Sequence, residues 1–98
     1  MSGSRNVRTA SYRQMLGHLP AWVASLADHA FVKFRDNPAH PSLKLHPLSS
    51  DGRGRHRAGS FSVSVNRQYR AIYAVDGETN VWYWIGTHND YDVFTGRR

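Results

Sequence analysis

Apolar positions recur at helical spacing along the first third of the chain and alternate with polar ones along the last third, which predicts helices first and strands after. Ser60-Phe-Ser-Val-Ser-Val65 alternates with a period of two, Tyr69-Arg-Ala-Ile-Tyr-Ala-Val75 continues in aromatic and β-branched residues, and Val81-Trp-Tyr-Trp-Ile85 follows. Runs of this period and composition read as strands. Asp76-Gly77 between the last two is a hairpin signal, because both residue types tolerate the positive φ of a tight turn. Earlier in the chain, Leu19, Val23, Leu26 or Ala27, Ala30 and Phe34 form one apolar stripe. Pro20 suits the first turn of that helix, where an amide hydrogen is not needed, and Lys33 and Arg35 suit its last turn. Asn37-Pro38 stops it.

Shorter segments complete the order. Ser11 is expected to cap a helix running to Leu16 and ended by Gly17. Arg5 to Thr9 predicts a short first strand, and Ser42 to His46, bracketed by Pro38, Pro41 and Pro47, another. A short C-terminal helix is expected near Asn89 to Phe94. Ser49 to Gly59 reads as a mobile glycine- and arginine-rich loop, and Met1 to Ser4 as a flexible end. The sum is an α+β fold, with a helical hairpin packed on one face of a small, mainly antiparallel, twisted sheet. Arg70 shares its side of the sheet with Ile72 and Ala74, while Tyr69, Ala71, Tyr73 and Val75 point the other way. Period alone does not choose the open side; Arg70 argues for its own, since burying an unpaired guanidinium is costly. By the same period, Trp82 and Trp84 share one side of their strand.

Length bounds this to one domain over residues 1–98. With 40% hydrophobic and 12% aromatic residues the composition is that of a globular protein. The absence of cysteine excludes both a disulfide framework and a zinc–thiolate site. The most apolar stretch, Ala21 to Phe34, is interrupted by Asp28 and His29 and is too short to span a bilayer, so a soluble, cytoplasmic protein without membrane contact is expected.

Charge changes the picture. The formal net charge is +6, and between Gly52 and Val75 there is no acidic residue, against Arg53, Arg55, Arg57, Arg67 and Arg70 with His56 among them. A one-signed block of this kind attracts polyanions, nucleic acid first, although a solvated loop kept soluble by arginine has the same composition.

Three side chains carry candidate chemistry. Arg70 is a permanently charged fork able to hold a phosphate through two parallel hydrogen bonds. His88 belongs to the residue type suited to passing protons, and Tyr91, three residues later, falls on the same side of a helical turn, where it can stack on a base or donate a proton. Asp90 and Asp92 are candidates to orient His88 or to repel a nucleophile. These are the parts for cleaving RNA through its own 2′-hydroxyl: a base, a cation for the charged phosphorane and an acid for the leaving oxygen. The competing reading has His88 capping the helix, Tyr91 packing in the core and Arg70 pairing with Asp90. His18 and His29 read as surface residues, His40 and His46 lack a metal-ligand spacing, and neither a metal site nor a cofactor is expected. Trp22, Trp82 and Trp84 read as core or sheet-face residues more than as stacking platforms.

The chain resembles the RelE/ParE superfamily of bacterial type II toxin–antitoxin toxins, on the RelE, YoeB and HigB side. The resemblance rests on Leu19-Pro20, on Phe34-Arg-Asp-Asn-Pro-Ala-His-Pro-Ser-Leu43 leading to Lys44-Leu-His-Pro-Leu48, on Val65-Asn-Arg-Gln-Tyr-Arg-Ala-Ile-Tyr73, and on Trp84-Ile-Gly-Thr-His-Asn-Asp-Tyr91. It implies a small toxin that cuts mRNA on the ribosome without a metal and is silenced by a cognate antitoxin. Carried over, Arg70 matches the strand arginine that contacts the scissile phosphate, His88 and Tyr91 the C-terminal His/Tyr positions, and Lys44 and Arg67 basic RNA-gripping positions. His46 and the loop arginines Arg53, Arg55 and Arg57 join them as RNA- or ribosome-binding candidates. Where YoeB-like toxins place a glutamate base this chain has only Ser60, Ser62 or Ser64, so His88 or His46 must supply one. The ParE branch, which inhibits DNA gyrase, and inert family members are the alternatives.

Overall fold

The computed structural model describes residues 5–50 and 52–96; the expectation for Met1 to Ser4 lies outside them. The elements are β1 (Arg5–Arg8), α1 (Ala10–Gly17), α2 (Ala21–Asp36), a short 3-10 turn (Pro41–Leu43), β2 (His46–Pro47), β3 (Ser60–Ser64), β4 (Tyr69–Asp76), β5 (Thr79–Thr87) and α3 (His88–Phe94). The strands form one sheet in the order β1-β5-β4-β3-β2, with β1 parallel to β5 and the other pairs antiparallel.

The apolar stripe of α2 packs as its spacing predicts. Val23, Ala27, Ala30 and Phe34 are buried, and Phe34 meets Tyr73 and Trp82 at ring-centroid distances of 5.1 and 5.0 Å. Tyr12 of α1, Val63, Ala71 and Ile85 close this core. Thr9, not Ser11, caps α1: its hydroxyl accepts from the Tyr12 N–H at 3.1 Å. Pairing decides this, because the Thr9 N–H still donates to the Trp82 carbonyl and leaves Thr9 extended at the strand-to-helix junction.

Three expectations need correction. Ser42 to His46 does not form a strand. The Ser42 N–H donates to the His40 imidazole, Pro41 opens the 3-10 turn and Lys44 takes a left-handed φ of 46°, so only His46–Pro47 pairs, as an edge against β3. Trp82 and Trp84 do not share a side. A β-bulge between β4 and β5 pairs Ile72 with Trp84 and Tyr73 with Trp82, leaving Tyr83 as the extra residue. One inserted residue reverses the alternation, so Trp82 joins the α2 core while Trp84 turns to the opposite face. That face is not open either. Tyr91 and Phe94 of α3 pack there on Ile72 and Trp84.

Candidate functional site

Arg70 lies on the α3 side of β4, opposite Ser64 on one neighbouring strand and Gly86 on the other. A side chain at position 86 would meet the Trp84 indole at 2.9 Å, so the glycine makes room for that ring over the strand. The Arg70 guanidinium donates from Nη1 to Ser62 Oγ at 3.3 Å and stands over the Tyr91 ring, 5.2 Å from its centroid. Its Nε is buried and meets no acceptor among the described residues. A half-buried arginine with one long hydrogen bond and an orphaned donor retains much of its capacity for an anion.

Tyr91 is fully buried, and its hydroxyl lies 3.3 Å from His46 Nε2. His46 Nδ1 in turn sits 3.0 Å from the Lys44 carbonyl. A carbonyl only accepts, so Nδ1 carries the proton, and in the neutral ring Nε2 accepts from the Tyr91 hydroxyl. Burial rules out the expected stacking of Tyr91 on a base.

His88 opens α3. The cap is Thr87, whose hydroxyl accepts from the Asp90 N–H at 3.1 Å, so neither a capping role for His88 nor a pairing of Arg70 with Asp90 is observed. The His88 N–H donates to the Gln68 carbonyl at 2.7 Å, which ties the start of the helix to the start of β4. Asp92 Oδ2 lies 3.3 Å from His88 Nδ1, leaving Nε2 as the ring nitrogen that points elsewhere. The His88 ring meets Tyr91 at 5.8 Å. Tyr91 is therefore a hub, with Arg70 over its face, His46 at its hydroxyl and His88 at its edge.

No family model matches the chain, and no curated relative matches it. Solved structures do. The toxin–antitoxin complex RelBE2 from Mycobacterium tuberculosis has a chain 24% identical over 86% of this one and 96% of its own length, with a TM-score of 0.63. A YoeB/ParE toxin from Agrobacterium tumefaciens is 19% identical over 86% and 98%, at 0.62. YafQ from E. coli is 14% identical over 88% and 94%, at 0.61. The chain has the RelE-like toxin fold.

On this RelE-like frame the remaining candidates fall into separate groups. Arg53 and His56 line a cavity of about 430 Å³ with His46, Leu48, Thr95 and Gly96. The loop that carries them is tied down at Arg55, His56 and Arg57. The Arg55 N–H donates to the Phe94 carbonyl at 2.7 Å, the Arg57 N–H donates to the Tyr83 hydroxyl at 2.9 Å, and the Arg57 guanidinium lies 5.3 Å from the Tyr83 ring centre. The His56 imidazole also bonds the Ser49 carbonyl. Lys44 and Arg67 sit elsewhere, along a cavity of about 360 Å³ with His29, Lys33, Ser42 and Asn66. Among the described residues no group of three or more His, Asp or Glu side chains is placed to hold a metal, and no helix is long and apolar enough to cross a membrane. The part of the site missing from the residue pattern is the Ser62 contact. A serine on an alternating strand carries no signal of its own, and only the register of β3 against β4 brings it to Arg70.

Proposed function

We propose that the chain is the toxin of a type II toxin–antitoxin pair, a cytoplasmic single-domain protein that cuts messenger RNA on the ribosome through the RNA's own 2′-hydroxyl. The observation that carries this reading is the Arg70 guanidinium held over the ring of Tyr91, whose hydroxyl meets His46 and whose ring meets His88. His88, oriented by Asp92 with Nε2 directed away from that carboxylate, is assigned the base that takes the 2′-hydroxyl proton. The 2′-oxygen attacks phosphorus, the bond to the 5′-oxygen breaks, and Arg70 stabilises the charge on the non-bridging oxygens between the two events. His46 is assigned the acid that returns a proton to the 5′-oxygen, a role in which its Nε2 exchanges the Tyr91 hydroxyl for that oxygen. The products are a 2′,3′-cyclic phosphate and a 5′-hydroxyl. Tyr91 is too buried to touch RNA and acts as a positioning residue that holds Arg70 and His46. The loop arginines, Lys44 and Arg67 contribute to RNA and ribosome binding through their charge. The solved RelBE2 and DinJ–YafQ structures are toxin–antitoxin complexes, which supports an antitoxin partner here, seated on the basic face or the sheet edge.

The test is induction of the chain in a bacterium, with transcript ends mapped beside a gyrase supercoiling assay. Arg70→Ala is expected to reduce cleavage by roughly a hundred- to a thousandfold at unchanged melting temperature, and His88→Ala by roughly a hundredfold or more. Full toxicity in both variants ends the catalytic reading. Intact transcripts with inhibited supercoiling would place the chain with gyrase poisons.

A further inference from the structure

We infer that Trp22, Tyr69 and Arg67 form a stacking subsite for an unpaired nucleobase beside the Arg70–His88 centre, a deepening that rests on the RNA-cleaving reading above. Trp22 is 53% exposed. It precedes Val23 by one residue and so stands off the buried stripe of α2. Packing on Tyr69 of the sheet still leaves about half of the indole exposed. Its one described ring partner is Tyr69, at 5.9 Å and 85°. Two perpendicular rings make a corner in which a base lying flat on one meets the other edge-on, and both contacts are favoured aromatic geometries.

The corner is at the working end of the sheet. Tyr69 immediately precedes Arg70 and pairs with Thr87, the residue before His88. Gln68 accepts the His88 backbone hydrogen bond. Against the Tyr69 side of the corner lies a cavity of about 280 Å³ lined by Arg67, Gln68, Tyr69, Thr87, His88 and Asn89, a lining that carries no carboxylate among the described residues. The parts match a nucleotide. A guanidinium meets the phosphate, aromatic faces take the base, and the Gln68 and Asn89 amides, each donor and acceptor, meet its edge. An acidic peptide would use the cation but leave the indole face unmatched, so single-stranded RNA is the favoured occupant. Tyr69 points to the α2 side of the sheet and Arg70 to the α3 side, so the base held at the corner belongs to a nucleotide flanking the scissile phosphate.

The test uses the full chain and a short 2′-O-methyl RNA oligonucleotide carrying 2-aminopurine, which cannot be cut and so reports stacking apart from catalysis. Binding is expected to quench the 2-aminopurine emission. Trp22→Leu, which keeps apolar bulk but removes the aromatic face, is expected to relieve the quenching and weaken binding roughly five- to 150-fold, the range for loss of one base–aromatic stack. Trp22→Phe is expected to retain most of both. No quenching with the unaltered chain, or equal binding by the Leu variant, overturns the subsite. The endonuclease reading stands or falls separately. Cleavage at unchanged transcript positions in Trp22→Leu would sink the subsite and leave the enzyme, whereas quenching without any cleavage would keep the subsite and remove the enzyme.

Discussion

Tyr91 sits at the centre of the site without reaching solvent, and its two functions are separable. Its ring supports the Arg70 guanidinium and its hydroxyl holds His46. Tyr91→Phe keeps the ring and loses a hydrogen bond worth about 1 kcal/mol. It is expected to slow cleavage at least roughly tenfold through a freed imidazole while the melting temperature falls by only about 4–8 °C. Tyr91→Ala empties a core position and should cost roughly 3–5 kcal/mol of stability. Rates and melting curves of both variants check this, and a Phe variant as fast as the parent would remove Tyr91 from the site. Tyr12 makes a different prediction. Burial, the largest cause, pushes its pKa up to about 12, with Arg8 lowering and Asp28 raising it. The unfolded chain releases the same proton near the ordinary value of 10.0, so the stabilisation is whole below that pH and is lost as pH rises towards about 12. The loss amounts to roughly 3 kcal/mol. Denaturant titrations of the parent and of Tyr12→Phe should diverge only over that alkaline interval; parallel curves would remove the effect.

At the scale of elements, two devices set the geometry of the site. The bulge at Tyr83 turns Trp84 towards α3 and brings the Tyr83 hydroxyl to Ser60 Oγ at 2.7 Å and to the Arg57 N–H. The loop is held in turn at the end of α3, where glycine is required by close approach. A Cβ at position 54 would stand 2.5 Å from the Thr95 carbonyl carbon. Gly54→Ala should therefore unlatch the loop, speeding amide exchange at Arg55 and costing roughly 1–3 kcal/mol, as overpacking does. Gly17, at the end of α1, faces open space, with nothing within 4 Å of where a methyl group would stand, and Gly17→Ala should be neutral or stabilising by roughly 0.5–1 kcal/mol. Unchanged exchange at Arg55 in the first variant would show that the backbone bond to Phe94 is not what holds the loop.

At the scale of the whole molecule, the net charge of +6 predicts that the proposed RNA and ribosome binding is salt-dependent. The affinity is expected to fall linearly with log salt, with a slope of about −0.7 for each phosphate neutralised on a single strand. Arg53→Ala, Arg55→Ala and Arg57→Ala combined should flatten that slope while leaving the fold, because the hydrogen bonds that latch this loop at Arg55 and Arg57 are donated by backbone N–H groups. The Arg57 contact with the Tyr83 ring is lost with its side chain. A slope already flat in the parent would count against an electrostatic RNA interface.

Local pattern was sufficient for the three helices, for β1, β3, β4 and β5, for their order and for the buried stripe of α2, though not for the Pro41–Leu43 turn, since a period of 3.6 or of 2, a proline and an Asp-Gly turn act over a few residues. It was sufficient too for the nearness of His88, Asp92 and Tyr91, which one helical turn places together. The tertiary structure alone decided the rest. The bulge that parts Trp82 from Trp84 arises from pairing of β5 with β4, and the contact of Trp22 with Tyr69 arises from how α2 settles on the sheet. The contact between Tyr91 and His46 joins residues 45 positions apart, and the Ser62 bond to Arg70 depends on the register of two strands. Periodicity says which side of its own element a residue takes; which distant residue meets it there is settled only when the elements pack.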